Sequence, residues 1–439
     1  MMTSAYAKVW YILLFVMMCF PRILTPLKVV ILLILLILSL KKGVFERRYF
    51  TRSQQGFTFF YLCFALGICM TGLIRENDSN YVLDSLRLGV AYTLLFSFLA
   101  AGFFSKREIV GFVRTIVVAT IFVSIYSILS LLVSIGVWPA SLFVSIDGSV
   151  GVHEGYTHLT NTNLSSLIFA LPFLIYLVLS SSKVGRSSVP LFVAATLGLV
   201  AAFLSGRRIL WIVAVLPFAA HFVFGGEGRR HVGEKNLLAT IAVCALVIAV
   251  VMVLVRSGYF NWQGILDRFW EAFEGSGADN VRYEQMDQLF RGFLESPILG
   301  NGAGGVLSSG YARNANPTLF ETSYVVVLFQ GGIVWTIFYC LAFGSILFGL
   351  MKSRSRESSF EENMRKSTLV AFVAALIANA TNPYFSSSFD FYWMIYFPYL
   401  MIGFLEGTAE GRHPIKVGRG ASGRSVPKSI ASDKYDRNG

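Results

Sequence analysis

Long apolar runs recur along nearly the whole chain, and they limit it to one kind of fold. Hydrophobic residues occupy 55% of the 439 positions and charged residues only 14%, whereas soluble proteins carry about 25% charged residues. A helix needs about 20 apolar residues to cross a bilayer. The runs therefore predict an all-α polytopic membrane protein with about 12 transmembrane helices. The predicted spans are 8–20, 27–40, 57–74, 82–104, 109–135, 163–181, 190–205, 208–224, 236–255, 320–349, 367–385 and 390–406.

The first two predicted spans are short, and we expect a bent hairpin broken around Pro21 and Pro26. The remaining boundaries divide the chain into four parts. Residues 1–255 hold the first nine helices, 256–319 form a large outer loop, 320–406 hold the last three helices, and 407–439 form a disordered cytoplasmic tail.

Lysine and arginine in the connections set the orientation, because cytoplasmic loops carry an excess of both. With the N-terminus in the cytoplasm, 24 of the 37 basic residues lie in inner connections or in the tail. The net charge of +12 is then a topology signal and gives no support for nucleic-acid binding. This orientation places two long segments outside, at 136–162 and 256–319.

The second outer segment contains two stretches whose apolar residues recur at helical spacing. Such amphipathic helices suit the outer membrane interface. They are carried by Trp262, Ile265, Leu266, Phe269, Trp270 and Phe273, and by Met286, Leu289, Phe290, Phe293 and Leu294.

The basic residues left on the outer side are almost all arginines, whose planar guanidinium fits phosphate oxygens bidentately. Ordinary loop ion pairs are the alternative explanation for most of them. They are Arg22, Lys28, Arg75, Arg87, Arg207, Arg208, Arg256, Arg268, Arg282, Arg291 and Arg313.

Arg207 and Arg208 stand out, because they share a very short turn between two apolar runs, where charge is costly unless it serves a site or reaches lipid headgroups. Arg282 opens the second amphipathic stretch. Arg291 follows nine positions later, on roughly the opposite helix face at about 100° per residue. We therefore favour Arg282 for the site and expect Arg291 to be structural or at most peripheral, with Arg87 a further outer candidate.

Three groups complete the candidate site. Gly300, Gly302 and Gly305 match a weak GxGxxG pattern in which backbone amides could approach an anion, although no βαβ context surrounds it. Glu321 lies at an outer membrane boundary, where partial burial favours a general base; a charge favoured by the helix dipole is the alternative. His153, Glu154 and His158 in the first outer segment are further acid–base candidates, and ordinary solvated loop residues are the alternative explanation. No metal-ligand spacing is present, and we expect neither a metal nor another cofactor.

These motifs together resemble the O-antigen ligase / O-antigen polymerase superfamily. Ser205-Gly-Arg-Arg-Ile-Leu210 resembles its short Ser-Arg turn, with Arg208 the best match by position. Arg282 followed by Pro297-Ile-Leu-Gly-Asn-Gly-Ala-Gly304 resembles its Arg, helix and Pro-x-x-Gly-x-Gly. Glu321-Thr322, nine residues and Gly332 match its His-Asn, nine-residue, Gly spacing. The departures are Glu321, where ligases carry the proposed His base, and Trp335, where they favour a different residue.

The resemblance implies a class C-like glycosyltransferase of the bacterial inner membrane with its active site facing the periplasm. The departures favour a polymerase that joins undecaprenyl-diphosphate-linked repeat units. Arg208 and Arg282 would stabilise the diphosphate and Glu321 would act as base, with Arg207, Arg291, Arg87, His153, Glu154, Gly300 and Gly302 as binding candidates. Its expected partners are the lipid-linked donor and acceptor, membrane lipids and a chain-length regulator protein. A ligase acting on lipid A–core is one alternative. A transporter of polysaccharide or of lipid-linked sugars is another, although the long loop between the ninth and tenth spans breaks the internal symmetry common in transporters.

Overall fold

The computed structural model describes twelve stretches of the chain, and they are helical apart from one two-stranded hairpin. The predicted span 236–255, the amphipathic stretch at 262–273, Glu154 and the tail after 409 lie outside the described residues. The described stretches are 4–41, 50–101, 104–134, 138–142, 150–153, 156–159, 161–180, 189–224, 280–307, 318, 320–353 and 359–409.

The helices follow the apolar runs in chain order. They are α1 (Ser4–Cys19), α2 (Thr25–Ser39), α3 (Arg52–Ile74), α4 (Ser79–Leu86), α5 (Thr93–Ala100), α6 (Lys106–Ser134), α7 (Leu167–Ser180), α8 (Val189–Leu204), α9 (Arg208–Phe224), α10 (Asn280–Glu295), α11 (Ser323–Lys352), α12 (Ser359–Asn379), α13 (Tyr384–Ser387) and α14 (Trp393–Ala409).

Shorter elements complete this order. A π-helical turn, Arg87–Tyr92, joins α4 to α5, and 3₁₀ turns occupy Ala140–Leu142, Thr162–Ser166 and Phe389–Phe391. The strands β1 (Val150–His153) and β2 (Tyr156–Leu159) pair antiparallel. This hairpin falls in the first long outer segment and was not predicted.

Five helical segments of the described chain are long and apolar enough to cross a membrane, and four shorter apolar helices accompany them. The long segments are Arg52–Ile74, Ser79–Ala100, Lys106–Ser134, Thr162–Ser180 and Ser323–Lys352. These helices support a multi-pass membrane protein. The predicted break in the first hairpin is also present, because α1 ends at Cys19 and α2 begins at Thr25 with Pro26 in its first turn.

The core of the bundle is built on α7 and α14, which are buried along most of their length. α7 packs against α12, α9 and α8, while α11 runs along α3. Rings of Phe57, Tyr61, Phe343 and Tyr396 pack edge to face between α3, α11 and α14, an arrangement that aromatic quadrupoles favour.

Helix α12 distinguishes the two ends of the bundle. At its first turn Asn363 donates to the Ser180 carbonyl at the end of α7, and Glu362 binds Arg365 and Lys366. At its other end the chain turns into α13, which begins at Tyr384. The candidate site residues gather at this second end, which is called the Tyr384 end below.

Candidate functional site

The centre of the site is an ion pair between the first turn of α10 and the residue two positions before α11. Arg282 Nε donates to Glu321 Oε2 at 2.5 Å. The Glu321 backbone amide donates to Oε1 of Gln285, a residue that is 2% exposed. Glu321 is therefore held at both its backbone and its carboxylate by α10. Two of the three residues predicted as catalytic are in direct contact.

Arg207 lies in the turn between α8 and α9. Its Nη1 donates to Ser165 Oγ at 3.2 Å and its Nη2 to the Asn161 carbonyl at 2.9 Å. Gly206 makes this turn possible with φ 65°, a left-handed conformation that costs glycine little. The guanidinium is thereby fixed over the segment before α7, and burial lowers its pKa from the usual value. Arginine stays charged even so, because its intrinsic pKa lies above about 12.

Tyr384 connects these two groups. It is 7% exposed, lies in the connection after α12, and is hydrogen-bonded to Ser165, the serine that also binds Arg207. Burial raises the pKa of Tyr384, while the positive charges of Arg207, Arg282 and Arg22 act in the opposite direction. Three guanidinium groups therefore act on one buried phenol at this end of the bundle, and one of them, Arg282, is also paired with Glu321.

The other predicted site residues have different surroundings. Arg208 is the first residue of α9 and is half-buried. Arg291 is 70% exposed and pairs with Asp287 on its own helix. Arg87 is 62% exposed and pairs with Asp84. His153 lies at the end of β1, opposite Tyr156. The different partners of Arg282 and Arg291 agree with their expected positions on opposite faces of α10.

The glycine motif has a packing role that the sequence did not reveal. The amides of Asn301, Gly302 and Ala303 donate to the carbonyls of Phe329, Gln330 and Ile68 at 2.8–2.9 Å. These donors are committed to neighbouring backbone, so the expected approach of an anion to this turn is not supported. We therefore leave Gly300 and Gly302 out of the ligand-binding set proposed below.

Close backbone contact explains why glycine is needed in this loop. A Cβ on Gly300 would lie 2.4 Å from the Gln330 carbonyl oxygen, and one on Gly302 would lie 2.2 Å from the Gly72 amide nitrogen. Both have φ near +75°. Helix α11 is kinked where the loop meets it, at Gly332. The Pro-x-x-Gly-x-Gly motif and the later glycine therefore form one junction, which fixes the end of α10 against α11 and so holds Arg282 near Glu321.

Trp335, the second departure from the ligase pattern, fills space beside this junction. Its ring lies over Gly67 of α3, where a Cβ would come within 2.3 Å of the indole. Its Nε1 donates to Thr71 Oγ1 at 3.2 Å. The large side chain is thus matched by a glycine on the facing helix.

Sequence reasoning missed Tyr384, Gln285, Asn161 and Ser165 as parts of this site. A tyrosine near an Asn-Pro pair and a serine after a polar run carry no chemical signature, and only the folding of distant segments brings them together. Arg22 was grouped with the outer basic residues, but no sequence signal linked it to Arg207.

Helices that are long and apolar enough to span a membrane, with arginines and a carboxylate gathered at one end of the bundle, indicate a multi-pass membrane protein with a polar site at that end. Within this class, residues 192–340 match the family model Wzy_C, described as O-Antigen ligase. The chain therefore carries a Wzy_C O-antigen ligase family domain over this segment, and the resemblance inferred from the motifs is confirmed. No curated protein matches the chain.

Membership of this family indicates a glycan-transferring enzyme. The family comprises O-antigen ligase and polymerase-type membrane enzymes of surface polysaccharide synthesis, which transfer glycans from lipid-linked substrates. The matched segment includes Arg207, Arg208, Arg282 and Glu321. Arg22 and Tyr384 lie outside it.

Proposed function

We propose that this protein is a surface-polysaccharide polymerase that joins undecaprenyl-diphosphate-linked repeat units at the periplasmic face of the inner membrane. The observation that carries the proposal is the Arg282–Glu321 pair beside Arg207 and Tyr384, since it puts a proton acceptor next to a cluster of cations. Such a pairing fits a reaction in which a hydroxyl is deprotonated while a diphosphate leaves.

In the proposed reaction the diphosphate of the donor lies against Arg207, Arg208 and Arg282. Glu321 takes the proton from a sugar hydroxyl of the acceptor, and the resulting oxygen nucleophile attacks the anomeric carbon of the donor. The bond from that carbon to the diphosphate oxygen breaks, and undecaprenyl diphosphate leaves with the electron pair. Fixed guanidinium groups stabilise the charge developing on the leaving oxygen, so the scheme needs no metal.

Arg282 has two functions in this scheme. Its Nε holds the Glu321 carboxylate, while its charge also acts on the Tyr384 region. In this scheme the same guanidinium contacts the base and the leaving diphosphate. It therefore fixes their relative positions, which favours alignment of the reacting atoms.

Buried polar atoms around the site support a polar ligand there. Among the described residues the side-chain nitrogen of Asn161 and the hydroxyls of Thr322 and Ser323 are buried without a hydrogen-bond partner. An unmade buried hydrogen bond costs about 1–3 kcal/mol. Phosphate and sugar groups can supply the missing partners.

The cell-level test is the lipopolysaccharide ladder of a strain that lacks the gene. A polymerase mutant leaves one repeat unit on the lipid A–core. Absence of any repeat, with lipid-linked polymer still present, would instead establish a ligase.

The biochemical test is extension of purified undecaprenyl-diphosphate repeats by the purified protein in the presence of EDTA. Activity that requires added magnesium or manganese would contradict the proposed mechanism.

The proposed orientation has its own test. In a background without native cysteines, Glu295→Cys at the end of α10 should react with an impermeant maleimide in intact spheroplasts. Arg107→Cys at the other end of the bundle should react only after lysis. Both positions are exposed, so the reverse pattern would invert the topology.

A further inference from the structure

Arg22 lies in the connection between α1 and α2 and has an unusual backbone conformation. Its φ is 66°, and that of Leu24 is 55°, a region that non-glycine residues rarely adopt. The Arg22 amide donates to Asp390 Oδ2 at 2.9 Å. The surrounding structure must therefore hold this turn in place.

The holding group is a buried ion pair. Asp390 and Lys28 are 1% and 0% exposed, and their side chains are in direct contact. Asp390 also accepts from Ser388 at 2.7 Å, while Lys28 donates to the Phe20 carbonyl at 2.7 Å. Removing one partner of such a buried pair is costly, because the other charge is then left buried without a counter-ion or water. Lys28 and Asp390 thus fasten the first hairpin to the 3₁₀ turn before α14.

The same turn reaches the segment that holds Arg207. Thr162 Oγ1 donates to the Pro21 carbonyl at 3.5 Å, and Ser166 Oγ donates to the Met18 carbonyl at 2.8 Å. Arg207 donates to Ser165 Oγ and to the Asn161 carbonyl, both in this segment. Residues 161–166 therefore lie between the two arginines and tie them together.

The side chain of Arg22 is exposed, and among the described residues no carboxylate pairs with its guanidinium. Its positive charge acts on both Arg207 and Tyr384. Placing like charges together is unfavourable unless an anion lies between them. The strained turn and the buried ion pair add one more cation to this region. Several cations close together favour a ligand with more than one negative charge.

We propose that Arg22 is a fourth cation of the anion site, beside Arg207, Arg208 and Arg282, and binds the diphosphate of the lipid-linked donor, with Asp390 and Lys28 as its positioning residues. This inference rests on the proposed function. It adds a binding residue from the first hairpin, outside the matched family segment 192–340.

The first experiment measures binding of undecaprenyl diphosphate to the full-length protein in nanodiscs. Arg22→Gly keeps the amide donor and suits φ 66°, so its unfolding temperature should equal or exceed that of the unmodified protein. Loss of a charge-assisted contact should raise the Kd about 10–100-fold. Arg22→Lys should be intermediate, because it keeps the charge without the planar fork. Arg22→Gly should weaken the binding of undecaprenyl monophosphate less than it weakens the binding of undecaprenyl diphosphate. Arg107→Ala, at the opposite end of the bundle, should leave the affinity for both ligands unchanged.

The second experiment separates positioning from general folding. Asp390→Asn keeps an acceptor for the Arg22 amide but removes the charge that pairs with Lys28. It should weaken binding in the unmodified background and have no further effect when added to Arg22→Gly. Equal weakening in both backgrounds would show that Asp390 does not act through Arg22.

The outcomes also distinguish this inference from the proposed function. If Arg22→Gly binds undecaprenyl diphosphate normally while Arg282→Ala binds it weakly, Arg22 is not part of the site and the proposed function stands. If the unmodified protein does not bind undecaprenyl diphosphate and Arg282→Ala changes nothing, the proposed function itself fails.

Discussion

Replacing Glu321 by glutamine tests the proposed base most directly. The amide has nearly the size of the carboxylate and can still accept from Arg282 Nε, but it cannot take a proton. Loss of a general base lowers turnover by about 10²–10⁴-fold, equivalent to about 2.7–5.4 kcal/mol of activation free energy. The ion pair itself is partly exposed, at 36% for Arg282 and 18% for Glu321, and pairs near solvent contribute about 0–1 kcal/mol to stability. The kinetic effect should therefore greatly exceed the effect on folding.

The assay is extension of undecaprenyl-diphosphate-linked repeats by purified variants, normalised to protein that is monodisperse on size exclusion. Asp287→Asn is the matched control, because it breaks the exposed pair with Arg291 on the same helix and should leave turnover within about two-fold, as expected for a surface pair. Glu321→Gln should bind donor normally. A Glu321→Gln enzyme with turnover close to normal would refute the base assignment and direct attention to His153 and Glu154.

Three further predictions concern packing, binding and pH. Gly302→Ala should lower the free energy of unfolding by about 3–5 kcal/mol, because its Cβ would lie 2.2 Å from backbone; Gly344→Ala, where a Cβ meets nothing within 4 Å, should be neutral or stabilising, and thermal unfolding in detergent compares them. Arg282→Ala should raise the KM for the lipid-linked donor at least ten-fold more than Arg291→Ala, since a charge-assisted contact is worth about a factor of ten or more; equal steady-state effects would count against a special position for Arg282. Burial raises the pKa of Glu362, but its two basic partners outweigh this and lower it below 4.5, so their stabilisation should be complete above pH 4.5 and decline as pH falls through the folded-state pKa. Acid unfolding followed by circular dichroism should show a smaller decline for Glu362→Gln.

Much of the fold follows from the sequence because membrane insertion depends on local composition. An apolar run must satisfy its backbone hydrogen bonds internally, so it forms a helix wherever it lies in the chain. For this reason the runs at 57–74 and 109–135 predicted helices that the structure places at Arg52–Ile74 and Lys106–Ser134. The hairpin of β1 and β2 has no comparable local signal and was missed.

A site shared by Arg282 and Glu321 was predicted from their motif positions and from the topology, which places both residues at the outer side of the membrane. The role of Gly300 and Gly302 was not, because a glycine needed for close packing has the same sequence appearance as one that admits a ligand. The distinction depends on Gly72 and Gln330, which occupy other helices.

The sequence by itself determined the helical membrane class, the family of the segment 192–340 and the residue types available for phosphate and proton chemistry, since these depend on composition and local spacing. Only the tertiary structure decided that Arg207 shares Ser165 with Tyr384, and that a buried Lys28–Asp390 pair carries Arg22 toward them. Such contacts join residues from 42 to 362 positions apart in the chain. They form only when the helices pack and bring these side chains together. No local sequence pattern specifies which residues meet in this way.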